Sequence, residues 1–239
     1  MSLSKNHIKL ITSLSQKKYR QKHKLFVVEG VKVVQEFLNS SYELDIVFSS
    51  DTDFSSTNKF IEVTDQELKK ITSLKNPNKV LAIFKIPNQI NPITGGLILA
   101  LDSINDPGNL GTIIRLCDWF GIEQLVCSNE TVDCFNSKVV QASMGSLTRV
   151  AISYLDLKKY LQNASVPIFI ADMDGLNVYK TKLPDSALLV LGNEANGISD
   201  EIKQLVTTKI TIPRYGAFQQ TESLNVATAS AILLSEFRR

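Results

Sequence analysis

Histidine is nearly absent from this chain: only His7 and His23 occur, both within the first 24 residues. The commonest general base is therefore missing from everything that follows them. Cysteine is sparse too. Cys117, Cys127 and Cys134 show neither CxxC spacing nor histidine neighbours, so no zinc site is expected and they read as reduced, partly buried thiols. No HExxH, P-loop or GxSxG segment is present, which argues against metallopeptidase, P-loop nucleotide hydrolase and serine hydrolase chemistry. No window approaches the ~18–20 continuous apolar residues of a membrane span. Lys and His also interrupt the N-terminal stretch that a secretory signal would keep apolar. The expectation is a cytoplasmic protein.

What is present is ordinary in bulk, with 44% apolar and 21% charged residues among 239, a globular composition with room for one or two domains. The formal net charge of +2 hides an asymmetry. Residues 1–24 carry Lys5, Lys9, Lys17, Lys18, Arg20, Lys22 and Lys24 and no acid, so the remainder carries −5. A cationic arm on a mildly acidic body suits a polyanion, because phosphate neutralisation releases counterions whatever the sequence bound. Lys17, Lys18, Arg20, Lys22 and Lys24 are the candidate nucleic-acid contacts. The plainer alternative is a solvated amphipathic helix, with Ile8, Ile11 and Leu14 as its apolar positions.

Residues 25–87 predict a small α/β domain. LFVVE, DIVFSS, FIEVT and KVLAIFKI read as strands, VKVVQEFLNS and DQELKKITSL as helices, with Asp65 as a plausible N-cap. In PNQINPITGG, which begins at Pro87, two prolines, two asparagines and a Gly pair mark a linker, placed at residues 88–96. From 97 to 239, near-continuous apolar strands (LILALDS, QLVCS, TRVAIS, PIFIAD, ALLVLG, KITIP) alternate with helices. That pattern predicts a mostly parallel sheet covered on both faces.

Three segments at predicted strand ends carry the chemistry. In LDSINDPGNLGTIIR a strand ends at Asp102, and Asp106-Pro107-Gly108-Asn109 turns into a helix whose free amides suit an anion; Arg115 follows one and a half turns later. In ALLVLGNEANGIS, Gly192, Asn193, Glu194 and Gly197 follow a strand, which fits the rule that ligands bind at carboxyl edges of parallel strands. In KITIPRYGAFQQTESLNV, a strand ends at Ile212-Pro213, and Ser223, Leu224 and Asn225 open a small-residue helix, with Ser223 a favourable N-cap. Separately these are also what a tight turn, a glycine loop and a helix cap look like.

Together, in this order, they resemble the SpoU/TrmH branch of the SPOUT RNA methyltransferases. The matching residues are Asp106, Pro107, Asn109, Gly111 and Arg115; Gly192, Glu194 and Gly197; and Ile212, Pro213, Glu222, Ser223, Leu224, Asn225 and Val226. A further family signature lies at Lys138–Gly145. A weaker likeness joins residues 22–87 to a substrate-binding domain similar to ribosomal protein L30e. The resemblance implies a deep trefoil knot in the α/β domain, a homodimer, and S-adenosylmethionine as methyl donor. It implies donor contacts at Leu191, Gly192, Asn193, Gly197, Ile212, Pro213, Leu224 and Asn225, and catalytic roles for Asn109, Arg115, Glu194, Ser223 and Asn225. It also implies RNA contacts at Arg115 and Lys138. Arg214 stands where the family has Met, Ala195 where Gly is frequent and Gln141 where Arg is frequent. The loop between Pro213 and Glu222 is about three residues longer than the family pattern.

The activity implied is methylation of a ribose 2′-OH, with large-subunit (23S) ribosomal RNA favoured by the L30e-like front half. With no histidine at hand, Arg115 becomes the candidate to assist removal of the 2′ proton, as base or as electrostatic stabiliser. A tRNA 2′-O-methyltransferase and a catalytically silent RNA-binding assembly factor remain open as alternatives. The retention of Asn109, Arg115, Glu194 and Asn225 together speaks against a silent site. A Rossmann enzyme is disfavoured by the lack of a Gly-rich loop after the first strand of the second domain.

Overall fold

The computed structural model describes residues 3–88, 92, 95–193, 195–206, 208–216, 218 and 223–239. Most of the expected linker, and Glu194 and Glu222, lie outside the described residues. In chain order the elements are α1 (Lys5–Ser13), α2 (Lys17–His23), β1 (Leu25–Glu29), α3 (Val31–Leu38), β2 (Leu44–Ser49), β3 (Phe60–Glu62), α4 (Asp65–Ile71) and β4 (Val80–Lys85). They continue with β5 (Leu97–Asp102), α5 (Pro107–Trp119), β6 (Gln124–Ser128), α6 (Ser137–Ser143), β7 (Ala151–Leu155), α7 (Leu157–Gln162) and β8 (Ile168–Asn177). The last are β9 (Ala187–Gly192), α8 (Asp200–Lys203), β10 (Thr208–Thr211) and α9 (Val226–Phe237). The chain forms two compact units: Met1–Asn88 with Asp133–Thr148, and Gln89–Val132 with Arg149–Arg239. No described helix is long and apolar enough to cross a membrane.

The first unit is built on a four-stranded sheet in the order β1-β4-β2-β3, with β4 antiparallel to both neighbours and β3 parallel to β2. Strand side chains alternate between faces. Phe48, Ile61, Leu81 and Ile83 meet Ile11, Leu14, Leu68 and Ile71 from the α1 and α4 side. The basic N-terminal stretch is thus folded: its apolar positions enter a core while Lys17, Lys18, Lys22 and Lys24 remain exposed. Phe26 and Phe84 face the other way, into a ring cluster with Phe37, Tyr42 and Phe135, where Phe26 and Phe135 centroids lie 4.7 Å apart.

Arg20 departs from its expected role as an RNA contact. It is only 2% exposed. Its Nε and Nη2 donate to Asp133 Oδ2 at 2.9 and 2.7 Å, and Nη1 donates to the carbonyls of Leu14 and Ser15 at 2.8 and 2.9 Å. A guanidinium so enclosed cannot also meet a phosphate. This pair, the Phe26–Phe135 contact and a Tyr42 hydroxyl aimed at the Leu147 carbonyl hold residues 133–148 in the first unit. Sequence order had assigned that segment to the second domain. Helix α4 is capped by Thr64 rather than Asp65, through a capping box in which Thr64 and Glu67 exchange side-chain-to-amide bonds.

The second unit has a six-stranded sheet, β10-β8-β9-β5-β6-β7, parallel at every pairing. The apolar strands are buried on both faces, as predicted for a covered parallel sheet. Leu157, Leu161, Ile198 and Ile202 cover Ile98, Val126, Ile170 and Val190 on one face. Strand β8 runs through Asn177, well past the predicted PIFIAD, and β10 presses on Gly175 so closely that a Cβ there would sit 2.5 Å from the Ile210 carbonyl carbon.

Candidate functional site

The carboxyl ends of β5 and β9 are neighbours, because the two strands pair in parallel from Leu97↔Ala187 to Asp102↔Gly192. The first two sequence segments therefore emerge side by side at one edge of the sheet. After Asp102, the Asp106 side chain caps α5 by accepting from the Asn109 amide at 2.8 Å, with Pro107 in the first turn, where a missing N–H costs nothing. After Gly192, Asn193 and Gly197 exchange two backbone hydrogen bonds of 3.0 and 2.8 Å, closing a tight loop. Gly192 is obligatory there: a Cβ would lie 2.4 Å from Gly197 C and Ile198 N, both backbone atoms.

The third segment reaches the first through α9. Its N-cap is Asn225, not Ser223: Asn225 Oδ1 accepts from the Ala227 and Thr228 amides at 3.0 and 3.3 Å. With its oxygen so engaged, the Asn225 amide nitrogen turns outward and donates to Asn109 Oδ1 at 2.9 Å. Two of the expected catalytic residues, 116 positions apart, are thereby joined.

A cavity of about 810 Å³ opens beside these loops, lined by Leu191, Gly192, Asn193, Gly197, Ile212, Pro213, Ser223 and Leu224 among others. Its size is that of a small-molecule or cofactor site. The structure brings to it every expected donor-contact residue except Asn225, which lies next to it at the head of α9. Arg115 and Asn109 are not among the lining residues. On α5 they are six positions apart, about 120° around the helix axis, and Arg115 is exposed.

Sequence reasoning missed several walls of this cavity: Ala171, Asp172 and Met173 of β8, Ala229 and Leu233 of α9, and Tyr215 and Phe218 of the long loop. Ala171 and Asp172 close the predicted PIFIAD strand and Met173 lies just past it, but nothing in that run announced a ligand wall. Asp172 is the acidic group described in the lining, and it shares Lys209 with Asp174 at 3.5 and 3.2 Å. The Asp174 hydrogen bond raises Lys209 above its ordinary pKa, and the Lys209 hydrogen bond lowers Asp174.

Both histidines belong to the first unit, whereas the cavity belongs to the second; His7 serves in the α1 capping box, where its Nδ1 accepts from the Ser4 amide at 3.3 Å. Lys138 is exposed on the short α6, also in the first unit. All three cysteines are buried, and none forms a disulfide.

Comparison with known proteins gives two family matches. The SpoU rRNA methylase family matches residues 96–235, and an MRM3-like substrate-binding domain matches residues 5–82. Among curated proteins, the chain is 28% identical to the 23S rRNA (guanosine(2553)-2′-O)-methyltransferase RlmP of Bacillus subtilis, over 94% of this chain and 93% of that protein. Among solved structures, it is 38% identical to a TrmH-family protein of Porphyromonas gingivalis, with a TM-score of 0.91, covering 100% of this chain and 99% of that one. An AdoMet-bound rRNA methyltransferase of Sinorhizobium meliloti is 29% identical, with a TM-score of 0.88, covering 100% of this chain and 96% of that one.

Proposed function

The chain belongs to the SpoU rRNA methylase family, and on that footing we propose that it transfers a methyl group from S-adenosylmethionine to a ribose 2′-OH of large-subunit ribosomal RNA. The observation that carries the reading is the convergence of Gly192, Gly197, Ile212, Pro213, Ser223 and Leu224 on one cavity, beside the Asn109–Asn225 pair. The residues present fit such a donor. Ile198, Ile212, Val226 and Leu233 give the cavity apolar walls, and Asp172 offers an acid toward a cationic ligand. Gly192 and the Asn193–Gly197 turn keep backbone groups at the rim. S-adenosylmethionine supplies, when bound, an electrophilic methyl on a sulfonium.

The protein's own part is to position two reactants and to favour an alkoxide-like 2′ oxygen. Asn109 and Asn225 hold one another, so that both side chains present fixed orientations toward RNA. Arg115 supplies positive charge for the developing oxygen anion; a guanidinium rarely gives up its proton, so electrostatic stabilisation suits it better than base catalysis. Glu194, Ser223 and Lys138 join the proposal as RNA-orienting groups. Arg115 is exposed and does not line its own chain's cavity, which supports a homodimer in which each Arg115 serves the partner copy. The small residues of α9 and the exposed Trp119 at the end of α5 support that surface. Family membership supports the trefoil knot, and the ribosomal substrate supports a cytoplasmic location.

On the RNA side, the exposed Lys17, Lys18, Lys22 and Lys24 suit recognition of structured RNA through phosphate and shape, leaving the target nucleotide to be splayed out. Purified protein incubated with labelled S-adenosylmethionine and ribosomal RNA from cells lacking it should place label on a ribose 2′ oxygen. Arg115→Lys should lower kcat by roughly 100-fold or more with donor affinity unchanged, since a point charge cannot reproduce the planar fork. Failure to label ribosomal RNA would overturn the activity, and a wild-type kcat in Arg115→Lys would overturn the role of Arg115.

A further inference from the structure

Ser103, the residue directly after β5, has φ of 60°, a left-handed backbone conformation that among the described non-glycine residues only Lys24 and Met144 share. Such a conformation persists where the surroundings over-determine it. Here three elements do so. The Ser103 amide donates to Ser128 Oγ at 3.0 Å, at the end of β6. The Ser103 hydroxyl donates to Asp102 Oδ1 at 3.1 Å. The Ser103 carbonyl accepts from Asn193 Nδ2 at 2.7 Å, from the loop after β9.

Asn193 is engaged at both ends of its side-chain amide. Its Oδ1 accepts from the Ala195 and Asn196 amides at 2.8 and 3.3 Å, and its backbone closes the loop with Gly197. Asp102 adds a second tie, since its Oδ2 accepts from the Ser199 amide at 2.8 Å while the residue is 5% exposed. Three residues beyond Ser103, Asp106 caps the helix that carries Asn109, and Asn109 meets Asn225. A chain of hydrogen bonds and short backbone steps therefore runs from the donor-side loop to the paired asparagines.

We infer that Asn193 is a positioning residue: it couples the loop that holds the methyl donor to the Asn109 loop by pinning Ser103 in its left-handed conformation. It was expected as a donor contact, and although it borders the cavity, its Oδ1 and one Nδ2 hydrogen are engaged inside the protein. The consequence is that donor-side order is transmitted to the RNA side. This inference rests on the methyltransferase reading for its kinetics, not for its structural content.

Asn193→Asp isolates the tie. The acceptor toward Ala195 and Asn196 survives, but the donor to the Ser103 carbonyl is replaced by an oxygen that repels it. Donor affinity by calorimetry should stay within about threefold, while kcat at saturating donor and RNA should fall about 30-fold, a loss confined to the transition state. Amide hydrogen exchange over residues 103–109 should quicken in the ligand-free protein. Adding Ser103→Gly to Asn193→Asp should restore most of kcat, because glycine keeps a positive φ without the tether. Ser128→Ala, which removes the other pin, should give the same signature more weakly, and serves if Asn193→Asp does not fold.

Weakened donor binding with kcat retained at saturation would make Asn193 a donor ligand and overturn the inference. So would unchanged exchange over 103–109, or a loss of kcat that Ser103→Gly does not rescue. If the wild-type protein methylates no RNA, the exchange comparison still decides whether Asn193 controls the 103–109 loop.

Discussion

Replacing Arg20 separates two roles that sequence alone merges. The Arg20 side chain is 3% exposed and its partner Asp133 14%, and the guanidinium makes four hydrogen bonds, two to one carboxylate oxygen and two to backbone carbonyls. Arg20→Ala leaves a carboxylate and two carbonyls in a site with little water. Breaking a buried pair from one side costs about 3–5 kcal/mol. For a chain of this size each kcal/mol moves a melting temperature by about 2–4 °C, so the protein's melting temperature should fall by roughly 6–20 °C in scanning calorimetry. The salt dependence of RNA binding, measured where the variant is still folded, should not change. Replacing Lys17, Lys18, Lys22 and Lys24 together by Gln should do the reverse: melting nearly unmoved, and the slope of log affinity against log salt reduced by about 0.7–0.9 for each lysine that touches a phosphate. An Arg20→Ala protein with wild-type melting and a salt slope reduced by about one would refute the reasoning and return Arg20 to the RNA surface.

Gly192→Ala tests the donor loop. Its Cβ would stand 2.4 Å from two backbone atoms, so residues 193–198 must move; donor affinity in calorimetry should fall about 100-fold or more, by analogy with losing several positioned contacts, and unchanged affinity would count against this loop as a donor wall. Alkaline pH tests the second unit's core. Burial, with Asp118 adding to it, raises the Cys117 thiol well above its usual range, and burial, then Cys134, raises the Tyr42 phenol in the first unit. The unfolded chain therefore releases these protons first, Cys117 from about pH 8.5 and Tyr42 from about pH 10, and stability is lost as pH rises, by about 1.4 kcal/mol per pH unit per group. Urea midpoints should fall from pH 8.5 upward and fall less steeply in Cys117→Ala; parallel pH curves would exclude the thiol as the cause.

The strands were legible because each answers to a local rule. LILALD and ALLVLG are apolar enough to be buried on both faces, LFVVE is fully buried on one, and all three are strands over those residues. Errors cluster where local signals compete. Thr64 and Asp65 can each cap a helix, and Glu67 decides for Thr64 by returning a bond to its amide. Ser223 and Asn225 compete in the same way, and Asn225 wins because its oxygen spans two amides at once. The second half of β8 was invisible because MDGLN has neither alternation nor an apolar run; only the paired β10 backbone makes it a strand. Arg20 reads as one cation among seven, since nothing local foretells an Asp133 that is 113 positions away.

The site shows the same division between chemistry and topology. Residue types named the three segments, yet nothing in their spacing says which two should touch. The pairing of β5 with β9 brings Asp102 and Gly192 into register, so the first two segments share an edge by strand order alone. The third arrives differently: β10 joins the sheet beyond β8, two strands away from β9. Its chemistry would be stranded there if the chain stopped at Pro213. It is α9, packed beside α5, that carries Asn225 back to Asn109. The cavity is what lies between these two routes, with Ile212 and Pro213 on the outgoing side and Leu224 on the returning one. Between them, Arg214, Tyr215, Gly216 and Phe218 also contribute to the wall of the cavity.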